Sequence, residues 1–186
     1  MAGLVLLLGA MPSARALERW SLPQLLEALA ARGDSQARYV ETKTLALLQK
    51  PLRLEGVVEF RKPGYLAKHV LKPAEEHYII DGDTVTVEKP GSPPVRFDIS
   101  THPALEAFAA SLRAPLAGDG AALRRYYRVS LGGTRRRWLL ALAPLRPEMV
   151  EMVRLVKLEG RGDRLETLVI EEASGDVSTM RFQPRP

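Results

Sequence analysis

Few residues in this chain have both the type and the spacing to do chemistry. Its 186 residues include no cysteine and three histidines. That excludes disulfides, cysteine-based zinc sites, iron–sulfur clusters and thiol nucleophiles together. His69 falls inside an alternating segment, His77 follows Glu75 and Glu76, and His102 precedes Pro103. Glu76 and His77 make an acid–base pair in sequence only, because neighbours on a strand point to opposite faces. No nucleophile elbow, P-loop or dinucleotide fingerprint occurs. The expectation is a protein that is not an enzyme, with no metal and no cofactor. Arg124-Arg125-Tyr126-Tyr127-Arg128 and Arg135-Arg136-Arg137 have the composition of a phosphate and base contact. A loop and two strand ends on a solvated face account for them better, and a formal charge of +5 is modest for this length. No nucleic-acid partner is expected.

The elements that would position a site are easier to read. Leu4 to Met11 is an apolar run too short to span a bilayer, followed by Pro12 and by Ala14-Arg15-Ala16, an A-x-A cleavage pattern. This predicts a signal peptide cut after Ala16, with 17–186 exported as a single domain. The 46% hydrophobic content is enough for a substantial core. Ser21-Leu22-Pro23-Gln24 has the form of a capping box, the leucines Leu22, Leu25, Leu26 and Leu29 recur at helical spacing, and Gly33 can end that helix.

From residue 37 the period changes to two. Strands are expected at 39–49, 52–61, 65–71, 76–80, 84–88 and 95–99, separated by Pro51, Lys62-Pro63-Gly64, Lys72-Pro73-Ala74, the hairpin signal Asp81-Gly82 and a proline-rich loop. An amphipathic helix over 103–113 follows, then a loop at 115–120, a helical turn at 121–125 and another within 144–149. Further strands are expected at 126–131, 138–143, 150–159, 164–171 and 177–183. Nine to eleven antiparallel strands with two to three helices give a mainly β, α+β domain whose large sheet must curl. Such a sheet encloses either a filled core or a cavity that takes an acyl chain.

Tyr39-Val40-Glu41-Thr42-Lys43, the run from Leu54 to Pro63, Leu66, Pro73 and Ile79-Ile80-Asp81-Gly82 together resemble the outer-membrane lipoprotein carrier proteins, the LolA family. The last hairpin, with Gly175-Asp176 between strands, is also similar. The resemblance implies an incomplete antiparallel barrel with a helical lid over a hydrophobic cavity. It implies a periplasmic protein, expected to be a monomer, that takes acyl chains of lipoproteins from an inner-membrane release complex to an outer-membrane acceptor. The alternatives are a carrier for another lipid (fatty acyl, polyene or glycolipid) and a non-carrier periplasmic interaction or sensor module with a filled core. On that footing Leu52, Leu54, Val58, Phe60, Leu66, Val70, Ile80, Phe108 and Leu112 are expected to line the cavity. The family's lid-contacting arginine falls on Lys62, and a tryptophan position on Lys68. These two lysines are expected at the lid or beside an anionic headgroup, with snorkelling to the rim as the alternative.

Overall fold

The computed structural model describes residues 20–183; the expected signal peptide lies outside the described residues. Helix α1 (Leu22–Ala31) starts at the expected capping box. The Gln24 N–H donates to Ser21 Oγ, the Ser21 N–H donates to Gln24 Oε1, and Gly33 follows the helix at φ +65°. A meander of six strands comes next: β1 (Ser35–Thr44), β2 (Leu52–Arg61), β3 (Tyr65–Lys72), β4 (Glu76–Asp81), β5 (Thr84–Glu88) and β6 (Val95–Asp98). A short 3-10 turn leads into α2 (Pro103–Ala117) and α3 (Gly120–Tyr126). The second meander is β7 (Tyr127–Thr134), β8 (Arg137–Pro144), a one-turn helix α4 (Pro147–Val150), β9 (Val153–Arg161), β10 (Arg164–Glu172) and β11 (Val177–Gln183).

All eleven strands belong to one antiparallel sheet in the order β6-β5-β4-β3-β2-β1-β11-β10-β9-β8-β7. β1 joins the two meanders, pairing with β2 on one side and β11 on the other. The sheet is not closed, and β6 and β7 are its edges, so the architecture is the expected incomplete barrel, with four α-helices among the described residues rather than two to three.

Several boundaries shift by one to three residues, β7 and β9 among them, and two differ by more. The first strand spans Ser35–Thr44 rather than 39–49, because its last ladder partners are Leu52 and Val177. Leu45, Leu47 and Leu48 have strand-like composition but no strand beside them, and they form a loop tip in which Leu47 is 97% exposed. The lid helix α2 runs on to Ala117 through Pro115 instead of stopping at 113. Proline removes one donor and clashes one turn back; here only the last half-turn follows it, before Gly118 at φ +81° ends the helix.

The two halves of the sheet are packed differently. Over β7–β11, Trp138, Leu140, Leu142, Val156 and Leu158 are at most 1% exposed and join Leu25, Leu26 and Leu29 of α1 and Leu123 of α3 in one continuous core. Over β2–β6 the inward side chains Val58, Leu66, Ile80 and Phe97 are only half-buried although they are apolar. The space in front of them is a cavity.

Candidate functional site

The cavity lies between the curled sheet and α2 and has a volume of about 1100 Å³, at the top of the range of roughly 300–1,000 Å³ usual for small-molecule sites. Alternation along each strand builds its wall, since residues two apart share a face. Cross-strand register then stacks these residues into layers. One layer, Phe60, Leu66, Ile80, Val85 and Phe97, is wholly apolar. The next is Val58, Lys68, Tyr78 and Val87, and the third is Gly56, Val70 and Glu76. Leu105, Phe108, Leu112 and Leu116 of α2, at helical spacing, form the opposite wall.

Leu54, Val58, Phe60, Leu66, Val70, Ile80, Phe108 and Leu112 all lie on the wall, as does Lys68. Leu52 does not. It is the ladder partner of Lys43 at the end of the sheet and is 43% exposed. Lys62 is not on the wall either: its Nζ donates to the Ala30 carbonyl of α1 at 2.8 Å, and its backbone N–H donates to Asp34 Oδ1 at 2.9 Å.

Lys62 is one of several polar ties at the same end of the barrel. Arg32 meets Asp163 at 3.1 Å, and Arg113 of α2 donates to the Gly82 carbonyl of the β4–β5 turn at 3.1 Å. The Arg113 guanidinium also lies against Gly64 in the β2–β3 turn, where a Cβ would come within 2.3 Å of its Nη2. The arginine that grips a turn is thus supplied by the helix, which sequence reasoning missed. At the opposite end the polar contacts join loop to loop: the Ala46 N–H donates to Asp176, and the Ala173 N–H donates to the Met152 carbonyl. Exposed apolar side chains gather there as well, among them Leu47, Leu48, Leu52, Leu71, Val95 and Met152. We call these the latched end and the loop end.

A charged cluster interrupts the apolar wall toward the loop end. Lys68 Nζ donates to Glu41 Oε2 at 2.5 Å, Ser178 Oγ donates to Glu41 Oε1 at 2.6 Å, and Lys43 Nζ is 3.8 Å from that same oxygen. Glu41 is 2% exposed. Burial by itself would raise its carboxyl, but the Lys68 ammonium and the hydrogen bonds from Lys68 and Ser178 outweigh it and hold the group below the usual glutamate range. Burial likewise pulls the Lys68 ammonium down, against the pull of Glu41. Tyr78 donates its hydroxyl to Glu76, which Lys89 also approaches at 3.6 Å; burial first and then Glu76 push the Tyr78 phenol up to about 12. Tyr39 lays its ring across Gly56, its ladder partner on β2, where a Cβ would stand 2.9 Å from the ring and 2.0 Å from the His69 carbonyl. No side chain other than hydrogen fits there. The Tyr39 hydroxyl is buried without a hydrogen-bond partner, and burial raises its pKa strongly.

Lys68 was legible from strand parity, and Glu41 and Lys43 share the inward parity of Tyr39. Ser178 was not, because it reaches Glu41 across 137 residues of sequence. The three histidines and the arginine clusters do not line the cavity. His69 and His77 are ladder partners with their Nδ1 atoms 2.8 Å apart, and His77 Nε2 lies 3.2 Å from Glu75. Among the described residues, no group of three His, Asp or Glu side chains has the geometry to hold a metal ion. Arg124, Arg125, Arg128 and Arg135 to Arg137 are exposed. No helix among the described residues is long and apolar enough to cross a membrane.

The family model described as outer membrane lipoprotein carrier protein LolA-like matches residues 13–182. No curated protein sequence matches the chain. Among solved structures, a LolA superfamily protein from Nitrosomonas europaea is similar at 13% identity, covering 88% of this chain and 90% of that one, with a TM-score of 0.47. A DUF1329 family protein from Desulfovibrio piger is similar at 14% identity, with 87% and 88% covered and a TM-score of 0.46. A chain of the Pseudomonas aeruginosa MucA/MucB complex is similar at 14% identity, with 87% of this chain but 53% of that one covered and a TM-score of 0.44.

Proposed function

Because this chain belongs to the outer membrane lipoprotein carrier protein LolA-like family, we propose that it binds the acyl chains of lipoproteins or related lipids in the cavity under α2. In this reading it carries them through the periplasm from an inner-membrane donor to an outer-membrane acceptor. The observation that supports the reading is the cavity itself: about 1100 Å³ walled mainly by Val58, Phe60, Leu66, Ile80, Phe108 and Leu112. Each acyl methylene moved from water into such a wall contributes about 0.8 kcal/mol. Affinity on that basis needs chain length rather than directed bonds, and the protein binds without turning its ligand over.

The two ends have separate roles in this reading. Lys62, Arg32 and Arg113 fix α1 and α2 to the sheet at the latched end. The loop end, with its exposed apolar side chains, is where a chain enters and leaves while the lid opens about the latched end. Mass spectrometry of lipids extracted from the full-length protein, purified from a bacterial periplasm, tests the reading. Acylated species in the wild type and their loss in Val58→Trp, which fills the cavity, are expected. Equal amounts of lipid in both proteins, or none in either, would contradict it. The same spectra identify the cargo as lipoprotein or free lipid.

A further inference from the structure

The Lys68 ammonium is an unusual group for a wall built to hold hydrocarbon. An ammonium has three N–H donors, and among the described residues its one hydrogen-bond partner is Glu41 Oε2. Ser178 and Tyr78 donate their hydroxyl protons to Glu41 and Glu76, and among the described residues Lys68 makes no hydrogen bond to either oxygen or to the unpartnered Tyr39 hydroxyl, whose ring it faces. The Lys68 side chain is 25% exposed, on the cavity side, so a ligand that displaces water from it must replace those hydrogen bonds with its own oxygen atoms.

Charge decides which oxygen. The sequence led us to expect Lys68 beside an anionic headgroup, but the protein supplies its own counter-ion. Lys68 already faces Glu41, and over the whole described wall eight carboxylate side chains stand against four basic ones. A ligand carboxylate or phosphate drawn to Lys68 would lie beside the buried Glu41 carboxylate and be repelled by it. An uncharged acceptor meets no such opposition and gains a hydrogen bond from a charged donor.

We propose that Lys68, held in place by Glu41, donates a hydrogen bond to the carbonyl oxygen that links an acyl chain to its headgroup. The cluster then marks the position of the acyl linkage along the cavity. The chain extends from there over Val58 to the apolar layer of Phe60, Leu66 and Ile80, and the headgroup faces the loop end. This inference rests on the carrier reading and adds to it a polar subsite that selects acyl esters over bare hydrocarbon.

Three probes of matched chain length test it by displacing the neutral fluorophore N-phenyl-1-naphthylamine from the full-length protein. They are dipalmitoylglycerol, its diether analogue without carbonyls, and palmitate, the last compared with its methyl ester as a fourth, uncharged probe. We expect the diester to bind roughly tenfold or more tighter than the diether, and ionised palmitate to bind no tighter than its methyl ester. In K68M/E41Q, which removes both charges and leaves no buried ion alone, diester and diether are expected to bind alike. Equal binding of diester and diether to the wild type would overturn the subsite and leave the carrier reading standing. So would tenfold tighter binding of palmitate than of its methyl ester, which would restore capture of an anion. Failure of all probes to bind would overturn both.

Discussion

One sheet serves two purposes in this molecule, and the contrast lies in what its halves are packed against. On β8 and β9 the inward side chains Leu140, Leu142 and Leu158 are fully buried in one core with residues of α1, α2 and α3. Over β2–β4, Val58, Leu66 and Ile80 are left half-buried beside a void under α2, which Leu165, Ile170 and Phe182 of β10 and β11 also line. Val85 and Phe97 of β5 and β6 pack with Ala109 and Leu105 of α2 in a small second core. Apolar side chains point inward in both regions, and helix placement decides whether they supply stability or a binding surface. The filled half can hold the fold while the hollow half gives up some of its own burial to remain open.

Truncation separates the two halves most sharply. Leu140→Ala in the filled half opens a closed cavity and should cost about 3–4 kcal/mol of unfolding free energy. Leu66→Ala on the hollow wall removes methyl groups that already face space, so it should cost about 1 kcal/mol. Urea denaturation of both variants measures the difference, and equal losses would show that the hollow half is filled in solution.

Nearly as large is the effect of breaking the Lys68–Glu41 ion pair on the hollow side. Lys68→Met leaves the Glu41 carboxylate, 2% exposed, with Ser178 and the more distant Lys43, and should cost about 3 kcal/mol. Adding Glu41→Gln should recover much of that loss, because no unpaired charge then remains. Lys157 and Glu171 on β9 and β10 meet at the same 2.5 Å but are about one-third exposed, and Lys157→Ala should cost under about 1 kcal/mol.

The pH dependence follows from the same pair. The folded state holds the Glu41 carboxyl below its ordinary value near 4.5, so its contribution is present in full above that pH. It is lost as pH falls through the lower folded value. Urea melts at about pH 7 and about pH 3.5 should therefore show a larger acid loss for the wild type than for K68M/E41Q. Parallel losses would mean that Glu41 titrates as it does in the unfolded chain.

The smallest effect on stability is expected at the latch. Arg113→Ala removes a partly exposed contact to the Gly82 carbonyl and should cost under about 1 kcal/mol. Release of a bound fluorophore, followed by stopped flow, should nevertheless accelerate roughly threefold, since this contact ties α2 to the sheet.

Much of this architecture was legible along the chain because period-two alternation, Pro-Gly turns and the Ser21 capping box are local signals. The errors arose where tertiary partners decide. Leu45 to Leu48 look like strand but extend past the last residues with which β1 can pair. Pro115 looks like a helix stop but falls where α2 has nearly ended. In the site, parity along β3 placed Lys68 inward, whereas its fixed counter-ion depends on β1, β3 and β11 meeting in one register. The helix-borne arginine at the latched end was equally hidden, because nothing in Arg113 itself announces that the turns at Gly64 and Gly82 lie beneath it.

The central claim is that an acyl chain lies in the hollow half with its linkage at Lys68 and its tail toward the latched end. Photocrosslinking of two palmitoyl ester probes tests it directly, one carrying a diazirine next to the carbonyl and the other at the chain terminus, with attachment sites read by peptide mass spectrometry. The first should label the Lys68 and Tyr78 layer, and the second the Phe60, Leu66, Ile80 and Leu112 end of the cavity. Labels from both probes on the outward-facing residues His69, Leu71 and His77, or the reverse order along the cavity, would contradict the account.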